Sequence, residues 1–464
     1  MKIMFFLLAL MFGVSTVFSQ ESKISELTIT RNKKTKASFL YRIAKVKQGS
    51  VLDSLKIQTD IERIKRLDGI AHATYTVEKV GEDYKVNYDL KENFSIIPGL
   101  RIGEANNGDF SFRASLFEFN GLGRNIIFGG FYKREVFDSF GIFLEHPYLF
   151  TNKLGLGINY QDDSTQQPIY FPEQQVNYIY TRKGPELTLF YELNFNNRFE
   201  LGTKIFNESY QVIEGDPENE GLTNLIEPVL DQAFVRGSYE YVDIDINYQN
   251  LSGFRNFTDV SYFIGSEGFL QTEYIINNTS QYYKRIGTQG NLASQLQLQI
   301  SNPVENSFFA PLTVDNQLNT RGGGNTIDRG TKLIALNTEY RHTVLEKGWF
   351  VIQSNAFVDI SGIQQPDKEF SDIFSEEALR IYPGLGVRFI HKRIFNAVIR
   401  FDPFYPKNLL FLLPQKAIPF LMLNSSFNKV FTLLFEINNT LAWSSIMFTF
   451  LPKQKTKFYL NRFK

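Results

Sequence analysis

Long runs of alternating apolar and polar side chains follow Asn93, and they constrain the fold more than any other feature of this 464-residue sequence. In the run 186–195, apolar side chains recur at every second position, at Leu187, Leu189, Tyr191, Leu193 and Phe195. A period of two residues is typical of a β-strand with one apolar face. The runs extend over roughly 9–12 residues, which is longer than most strands of soluble sheets and long enough for a tilted transmembrane strand.

The composition agrees with a membrane barrel. Aromatic residues make up 15% of the chain, with 45 Phe and 23 Tyr, yet the mean hydropathy is only −0.21. Outward aromatic girdles and an inward polar face explain both values. Beyond residue 20 there is no run of 18 apolar residues, so a helical span is not expected. Residues 93–464 divide into about 16 strands of roughly 23 residues each, turns included. We therefore predict an all-β transmembrane antiparallel β-barrel of about 16 strands there.

Charge and residue counts exclude several classes of function. The 49 Lys and Arg balance 49 Asp and Glu, so a nucleic-acid partner is not expected. The absence of cysteine excludes thiolate catalysis and Cys-ligated metals, and four scattered histidines disfavour a His-based site. The glycines of Gly121-Leu122-Gly123-Arg124 are not in the strand-turn-helix setting of a dinucleotide loop. We expect no enzyme: no catalytic residue, no cofactor and no metal.

The N-terminus is predicted to be a secretory signal peptide, residues 1–19. Lys2 precedes an apolar run, Ile3 to Phe12, and Val17 and Ser19 occupy the −3 and −1 positions of a cleavage site before Gln20. An uncleaved anchor is the alternative, but the run is short for a membrane span.

Residues 20–92 are predicted to form a small α/β domain of order β-α-α-β-β. On its second helix Ile57, Ile61, Ile64 and Leu67 recur at helical spacing, and Asp68-Gly69 ends that helix. The order fits any small periplasmic α/β domain, and it also resembles a POTRA (polypeptide-transport-associated) domain. Two motifs carry that resemblance, Asn32-Lys33-Lys34-Thr35 and Asp60-Ile61-Glu62-Arg63-Ile64.

A long loop, residues 302–331, carries Arg321-Gly322 in a glycine-rich stretch, and inward charges follow it. Strand parity places on the lumen face Glu339, Arg341, Asp359, Arg388, Arg400 and Asp402. If the loop folds into the lumen, Arg321 would form a bidentate pair with an inward carboxylate, with Asp359 the first choice and Asp402 and Glu339 next. The alternative is a solvated lumen with unrelated charges and a flexible loop.

Several motifs occur in the order seen in the BamA/TamA-type superfamily of outer-membrane assembly and translocation proteins, which this chain resembles. They are Asn120–Asn125, Glu145–Leu149, Thr320–Gly323, Glu339–Arg341, Phe357–Gly362, Gly384–Arg388 and Val398–Asp402. The resemblance implies a periplasmic POTRA domain and a 16-stranded barrel. It also implies that Arg321 is the lumen-anchored arginine of the loop, with Asp359 as its acceptor and Asp402 on the same wall. Thr320 and Gly323 depart from the family pattern of an aliphatic and an aromatic residue, so the loop would be held less tightly.

The resemblance further implies an outer-membrane protein of a Gram-negative-type bacterium with its small domain in the periplasm. It would insert or assemble β-barrel proteins, or translocate polypeptides, by β-augmentation at the POTRA edge and at the barrel seam. Unfolded outer-membrane or secreted polypeptides would be its partners, with outer-membrane lipid and accessory periplasmic or lipoprotein subunits. A dedicated secretion pore for one polypeptide and a passive porin or receptor channel are the alternatives. Either residues 431–435 or residues 445–450 would close the barrel.

Overall fold

The computed structural model describes residues 22–104, 109–170, 174–217, 229–264, 272–303, 310–314, 319–321, 328–365, 368–376, 378–392, 397–401 and 445–450. The predicted signal peptide, Gly322, Asp402 and the candidate closing strand 431–435 lie outside the described residues.

The N-terminal domain consists of three strands and two helices in the predicted order. They are β1 (Ile24–Thr30), α1 (Ala37–Ile43), α2 (Ser54–Lys65), β2 (Ile70–Val80) and β3 (Asp83–Glu92). β3 lies in the middle of the sheet, parallel to β1 and antiparallel to β2. β2 therefore has one edge that no other described strand covers. The identity of this domain as a POTRA domain stays a prediction.

Helix α2 begins and packs as its sequence predicts. The Asp53 carboxylate accepts hydrogen bonds from two backbone N–H groups of the first turn, at 3.0 and 3.1 Å. Ile57, Ile61 and Ile64 lie on one face and are buried in a core shared with α1 and the sheet. In the part of the chain that the structure describes, no helix has both the length and the apolar character needed to cross a membrane.

Sixteen strands close into a single antiparallel barrel, as predicted. In chain order they are β4 (Ile96–Glu104), β5 (Phe110–Gly121), β6 (Ile126–Arg134), β7 (Asp138–His146), β8 (Leu154–Tyr170), β9 (Gln175–Glu192), β10 (Asn197–Glu214), β11 (Val229–Asn247), β12 (Asn250–Ile264), β13 (Tyr274–Ile286), β14 (Gly290–Ser301), β17 (Lys332–Lys347), β18 (Phe350–Gln364), β19 (Arg380–His391), β20 (Ala397–Phe401) and β21 (Ser445–Phe450). The loop between β14 and β17 adds a short hairpin, β15 (Leu312–Val314) with β16 (Asp328–Gly330), and a 3-10 helix (Phe370–Phe374) follows β18.

The two faces of the barrel strands differ as the alternation predicts. On β9, Leu187 and Leu189 are 45% and 39% exposed on the outer face, whereas Glu186 and Thr188 are 6% and 1% exposed on the lumen face. An outer face of exposed large apolar side chains suits lipid, and a polar inner face suits a lumen.

Strand length varies around the barrel more than the sequence predicts. β8 to β11 have 17 to 19 residues, whereas β4, β6 and β7 have nine. β11 begins at Val229, although the polar sequence of residues 214–232 predicts an extracellular loop there. The reason is that backbone pairing continues above the apolar band, where polar outer residues such as Asp162 and Lys183 lie opposite each other. Apolar alternation marks only the lipid-facing part of such a strand.

Candidate functional site: lumen loop, domain junction and seam

The described parts of the loop between β14 and β17 lie in the lumen, against the wall made by β17 and β18. Leu312 and Val314 of its hairpin are buried in one apolar cluster with Leu333, Ala335 and Ile363, which are lumen-facing residues of that wall. Burial of apolar surface therefore holds the hairpin in place, in addition to any charged contact.

A polar segment of the loop places Arg321. The Asn319 amide donates to the backbone carbonyl of Thr313 at 2.9 Å, and the backbone carbonyl of Asn319 accepts from the Asn337 amide on β17 at 2.9 Å. Thr320 is buried between these contacts and the arginine. The backbone is thus fixed on both the hairpin and the barrel wall directly before Arg321.

Arg321 forms a bidentate ion pair with Asp359, the partner that strand parity puts first. Its Nε and Nη2 donate to the two carboxylate oxygens of Asp359, each at 2.7 Å, and its backbone N–H donates to the same carboxylate at 3.0 Å. Asp359 is fully buried, and the guanidinium carbon lies 3.7 Å from the centre of the Phe357 ring. A planar, forked and stacked cation fits this place, and a lysine could not reproduce it.

Glu339 joins two more predicted residues to the site. It accepts from Arg321 Nη1 at 2.9 Å, from Arg388 Nη1 at 2.8 Å and from Arg341 Nε. Among the described side chains the cluster contains three guanidinium groups and two carboxylates, Glu339 and Asp359. Loss of either carboxylate would leave three guanidinium groups with a single carboxylate, and breaking a buried ion pair typically costs about 3–5 kcal/mol.

The remaining predicted residues contribute less to the described site. Arg400 lies on β20 directly opposite Arg388 in the strand register, but its side chain is outside the part that the structure describes. Gly322 and Asp402 are likewise outside it.

Sequence reasoning missed Phe357 as the platform on which Arg321 stacks, and it missed the Asn337 contact. The signal for Phe357 was its parity: it is an aromatic residue on the lumen side of a strand whose apolar residues mostly face outward.

Within the described residues no group of three or more His, Asp or Glu side chains is placed to hold a metal ion. The cluster can bind and position groups by charge and hydrogen bonds.

The turn between β5 and β6, part of the Asn120–Asn125 motif, joins the barrel to the N-terminal domain. The Gly123 carbonyl accepts from the backbone N–H of Lys36 at 2.9 Å, and the Asn120 amide donates to the Thr35 hydroxyl at 2.9 Å. Gly123 has a φ of +68°, and a Cβ there would lie 2.2 Å from the Lys34 carbonyl oxygen. Glycine is required here by both conformation and space.

The turn between β7 and β8 places Tyr148 inside the core of the N-terminal domain. Tyr148 is 3% exposed, its ring centre is 5.8 Å from that of Phe39, and its carbonyl accepts from Arg42 at 3.0 Å. Beside it, Arg63 of α2 and Glu192 of β9 form a buried ion pair at 2.5 Å. Burial raises the pKa of Tyr148 to about 12. The barrel thus completes the core of the domain.

The last and first barrel strands, β21 and β4, meet at a seam. Among the described residues they are paired at four positions, compared with five for β20 and β21 and 17 for β8 and β9. The closing strand is Ser445–Phe450, one of the two segments that the sequence left open.

These features define a class of protein: a closed 16-stranded membrane barrel with a small α/β domain docked at one end and a loop anchored in its lumen by an arginine.

Solved structures of outer-membrane barrel proteins are similar to the chain in fold. CdiB from Escherichia coli matches with a TM-score of 0.57 and 12% identity, over 83% of this chain and 73% of CdiB. CdiB from Acinetobacter baumannii matches with a TM-score of 0.53 and 13% identity, over 84% and 72%. BamA from Haemophilus ducreyi lacking POTRA domains 1–3 matches with a TM-score of 0.49 and 14% identity, over 83% of this chain and 81% of the BamA chain. No family model and no curated protein matches the sequence. The two CdiB structures confirm the predicted fold.

Proposed function

We propose that this protein handles unfolded polypeptides at the outer membrane, where it inserts or assembles β-barrel proteins. The single observation that carries the proposal is the seam, because four paired positions between β21 and β4 leave much of the edge of β4 without a partner among the described strands. An open strand edge presents N–H and C=O groups that pair with an incoming strand. The similarity of fold to the two CdiB structures supports the same interpretation. The activity would be physical, without covalent chemistry.

The N-terminal domain offers a second edge for an extended client. Residues 74–80 of β2 are exposed on both faces, and Tyr75, Val77 and Val80 are large apolar side chains among them. A client segment that adds to this edge would form main-chain hydrogen bonds and would cover these side chains. We place this domain in the periplasm, where clients arrive unfolded, with lipid and accessory periplasmic or lipoprotein subunits as further partners.

A dedicated secretion pore for one polypeptide is the second candidate. The observation that favours it is the loop itself, since a plug held by ion pairs to Asp359 and Glu339 can be displaced without breaking the barrel wall. A passive porin or receptor is less well supported, because the buried loop hairpin occupies lumen space that a steady channel needs.

The test is a quantitative outer-membrane proteome after depletion of the protein and complementation with locked variants. The chain has no cysteine, so a disulfide between Leu100→Cys and Phe448→Cys, which are opposite in the seam register, locks β4 to β21. Leu156→Cys with Leu189→Cys, opposite each other on β8 and β9, is the matched control.

We expect many unrelated barrel proteins to be lost on depletion, and to be restored by the control pair and by the reduced seam pair but not by the oxidised seam pair. Loss of one secreted or surface protein alone would favour the dedicated pore. An unchanged proteome would contradict both candidates and leave the porin.

A further inference from the structure

The lumen hairpin carries a second arginine, Arg329 on β16, which bonds to a different wall from that of Arg321. Its Nη2 donates to the side-chain oxygen of Gln167 on β8, and its Nη1 donates to the Ala310 carbonyl at 3.3 Å. The carboxylate of Glu208 on β10 also attracts the positive charge of Arg329. One hairpin therefore contacts two walls through two arginines.

These two walls lie across the barrel from each other. From β8 to β17 there are seven strand-to-strand steps in one direction and nine in the other. The hairpin backbone is held on the β17–β18 side, since the Thr331 N–H donates to the Gln364 carbonyl at 2.9 Å. A Cβ on Gly330 would lie 2.1 Å from that same carbonyl oxygen, so the backbone there is in direct contact with the wall. The Arg329 side chain makes the connection across the lumen.

The seam lies midway along the arc that this connection spans. β4 is four steps from β8, and β21 is four steps from β17. The ten strands from β17 through the seam to β8 form an arc with the seam at its centre, and the hairpin with Arg329 connects the two ends of that arc. If the seam edges separate, the ends of the arc tend to move apart, and the connection resists that movement.

We propose that Arg329 is a positioning residue that ties β8 to the lumen hairpin and thereby holds the seam closed. Hydrogen bonds that involve a charged group are stronger than neutral ones, and a lumen site partly excludes water. Loss of this tie is expected to raise the ratio of open to closed seam about tenfold, which corresponds to about 1.4 kcal/mol. The inference goes beyond the proposed function, because it concerns how the barrel opens and not which polypeptide it handles.

Distances between spin labels on the full-length protein in lipid nanodiscs test the tie. Leu116→Cys on β5 and Leu385→Cys on β19 flank the seam four steps apart, and both leucines are exposed on the outer face. Leu187→Cys on β9 and Tyr282→Cys on β13 are also exposed and four steps apart, on a wall without a seam, and serve as the control pair.

In Arg329→Gln we expect the population with long seam distances to increase about tenfold, with the control pair unchanged. Arg380→Gln is the matched variant, because Arg380 pairs with Asp328 of the same hairpin at 3.1 Å from β19, on the side where the hairpin already lies. It should leave the seam distances as in the wild type.

Unchanged seam distances in Arg329→Gln would overturn the proposal, and so would an equal shift in Arg380→Gln, which would indicate general loosening of the hairpin. If Arg329→Gln does not assemble, Gln167→Ala removes only the acceptor; it should shift the same distances in the same direction, and no shift would also overturn the proposal. No client is present in these measurements, so their failure and a failure in the proteome experiment are separate results.

Discussion

The junction between the N-terminal domain and the barrel differs sharply from the seam between β21 and β4. At the junction, Tyr148 of the barrel is buried in the domain core, and Arg63 and Glu192 form an ion pair that is almost fully buried. At the seam, four paired positions join the strands among the described residues. One contact buries apolar surface and charge, and the other relies on a few backbone hydrogen bonds.

The difference shows where the molecule can move at low cost. Opening the junction would expose an aromatic side chain and leave two buried charges unpaired, whereas the described part of the seam would lose four backbone pairs that water or a client strand can replace. A swinging N-terminal domain is therefore disfavoured, and a parting seam is favoured.

Tyr148→Ala should give the largest effect. Removing this buried aromatic side chain leaves a cavity in the core of the N-terminal domain and should lower its free energy of unfolding by about 3–5 kcal/mol. Urea unfolding of the full-length protein, followed by proteolysis of the domain, measures this. Tyr75→Ala, an exposed tyrosine on β2, is the control and should stay within about 0.5 kcal/mol of the wild type. Equal losses in the two variants would mean that Tyr148 does not complete the core.

Removal of the Arg321–Asp359 pair tests whether the lumen loop is held as firmly as the junction between the N-terminal domain and the barrel. Arg321→Ala and Asp359→Ala should each lower barrel stability by about 3 kcal/mol, measured as the thermal unfolding midpoint in detergent. Because the two groups act on each other, the double variant should cost no more than Arg321→Ala alone. Arg134→Ala, which breaks an exposed pair with Asp138, is the control and should have almost no effect. Simple additivity would rule out the lumen pair.

Backbone hydrogen exchange compares the seam directly with the rest of the wall. Amides of residues 100–103 on β4 should exchange about tenfold to a hundredfold faster than those of residues 186–190 on β9, because among the described residues these four positions alone pair β4 with β21. Exchange mass spectrometry of the protein in nanodiscs resolves both peptides. Equal protection would remove the basis for a weak seam.

Tyr148→Phe should have the smallest effect at neutral pH, about 0.5 kcal/mol, since it deletes a long hydrogen bond of 3.4 Å to Glu192 and keeps the aromatic ring. Its signature is in the pH dependence. The pKa of Tyr148 is raised by burial to about 12, so the neutral phenol stabilises the folded domain fully below about pH 10. That contribution is lost as the pH rises from about 10 to 12. The wild type should therefore lose more domain stability over this range than Tyr148→Phe, as followed by unfolding at each pH, and parallel losses would contradict the assignment.

Much of the fold could be predicted because it follows from local patterns. The spacing of Ile57, Ile61 and Ile64 predicts a helix with one buried face, and the alternation around Leu187 and Leu189 predicts a strand with one lipid face. Parity also put Asp359 on the lumen side, where Arg321 meets it. Strand parity predicts which face of the barrel wall a side chain occupies, but it does not predict which strand that side chain contacts across the lumen.

The sequence by itself determined the element order of the N-terminal domain, a barrel of about 16 strands, and a lumen face with Asp359, Glu339, Arg341 and Arg388, because each depends on the alternation of side chains along one strand or helix. Only the tertiary structure decided that Tyr148 enters the core of another domain and that Arg329 reaches Gln167 on β8. Barrel closure brings together residues that are more than 100 positions apart in the chain. A local sequence pattern cannot predict these contacts, because they depend on how many strands separate two walls of the barrel and on where a loop crosses between the walls.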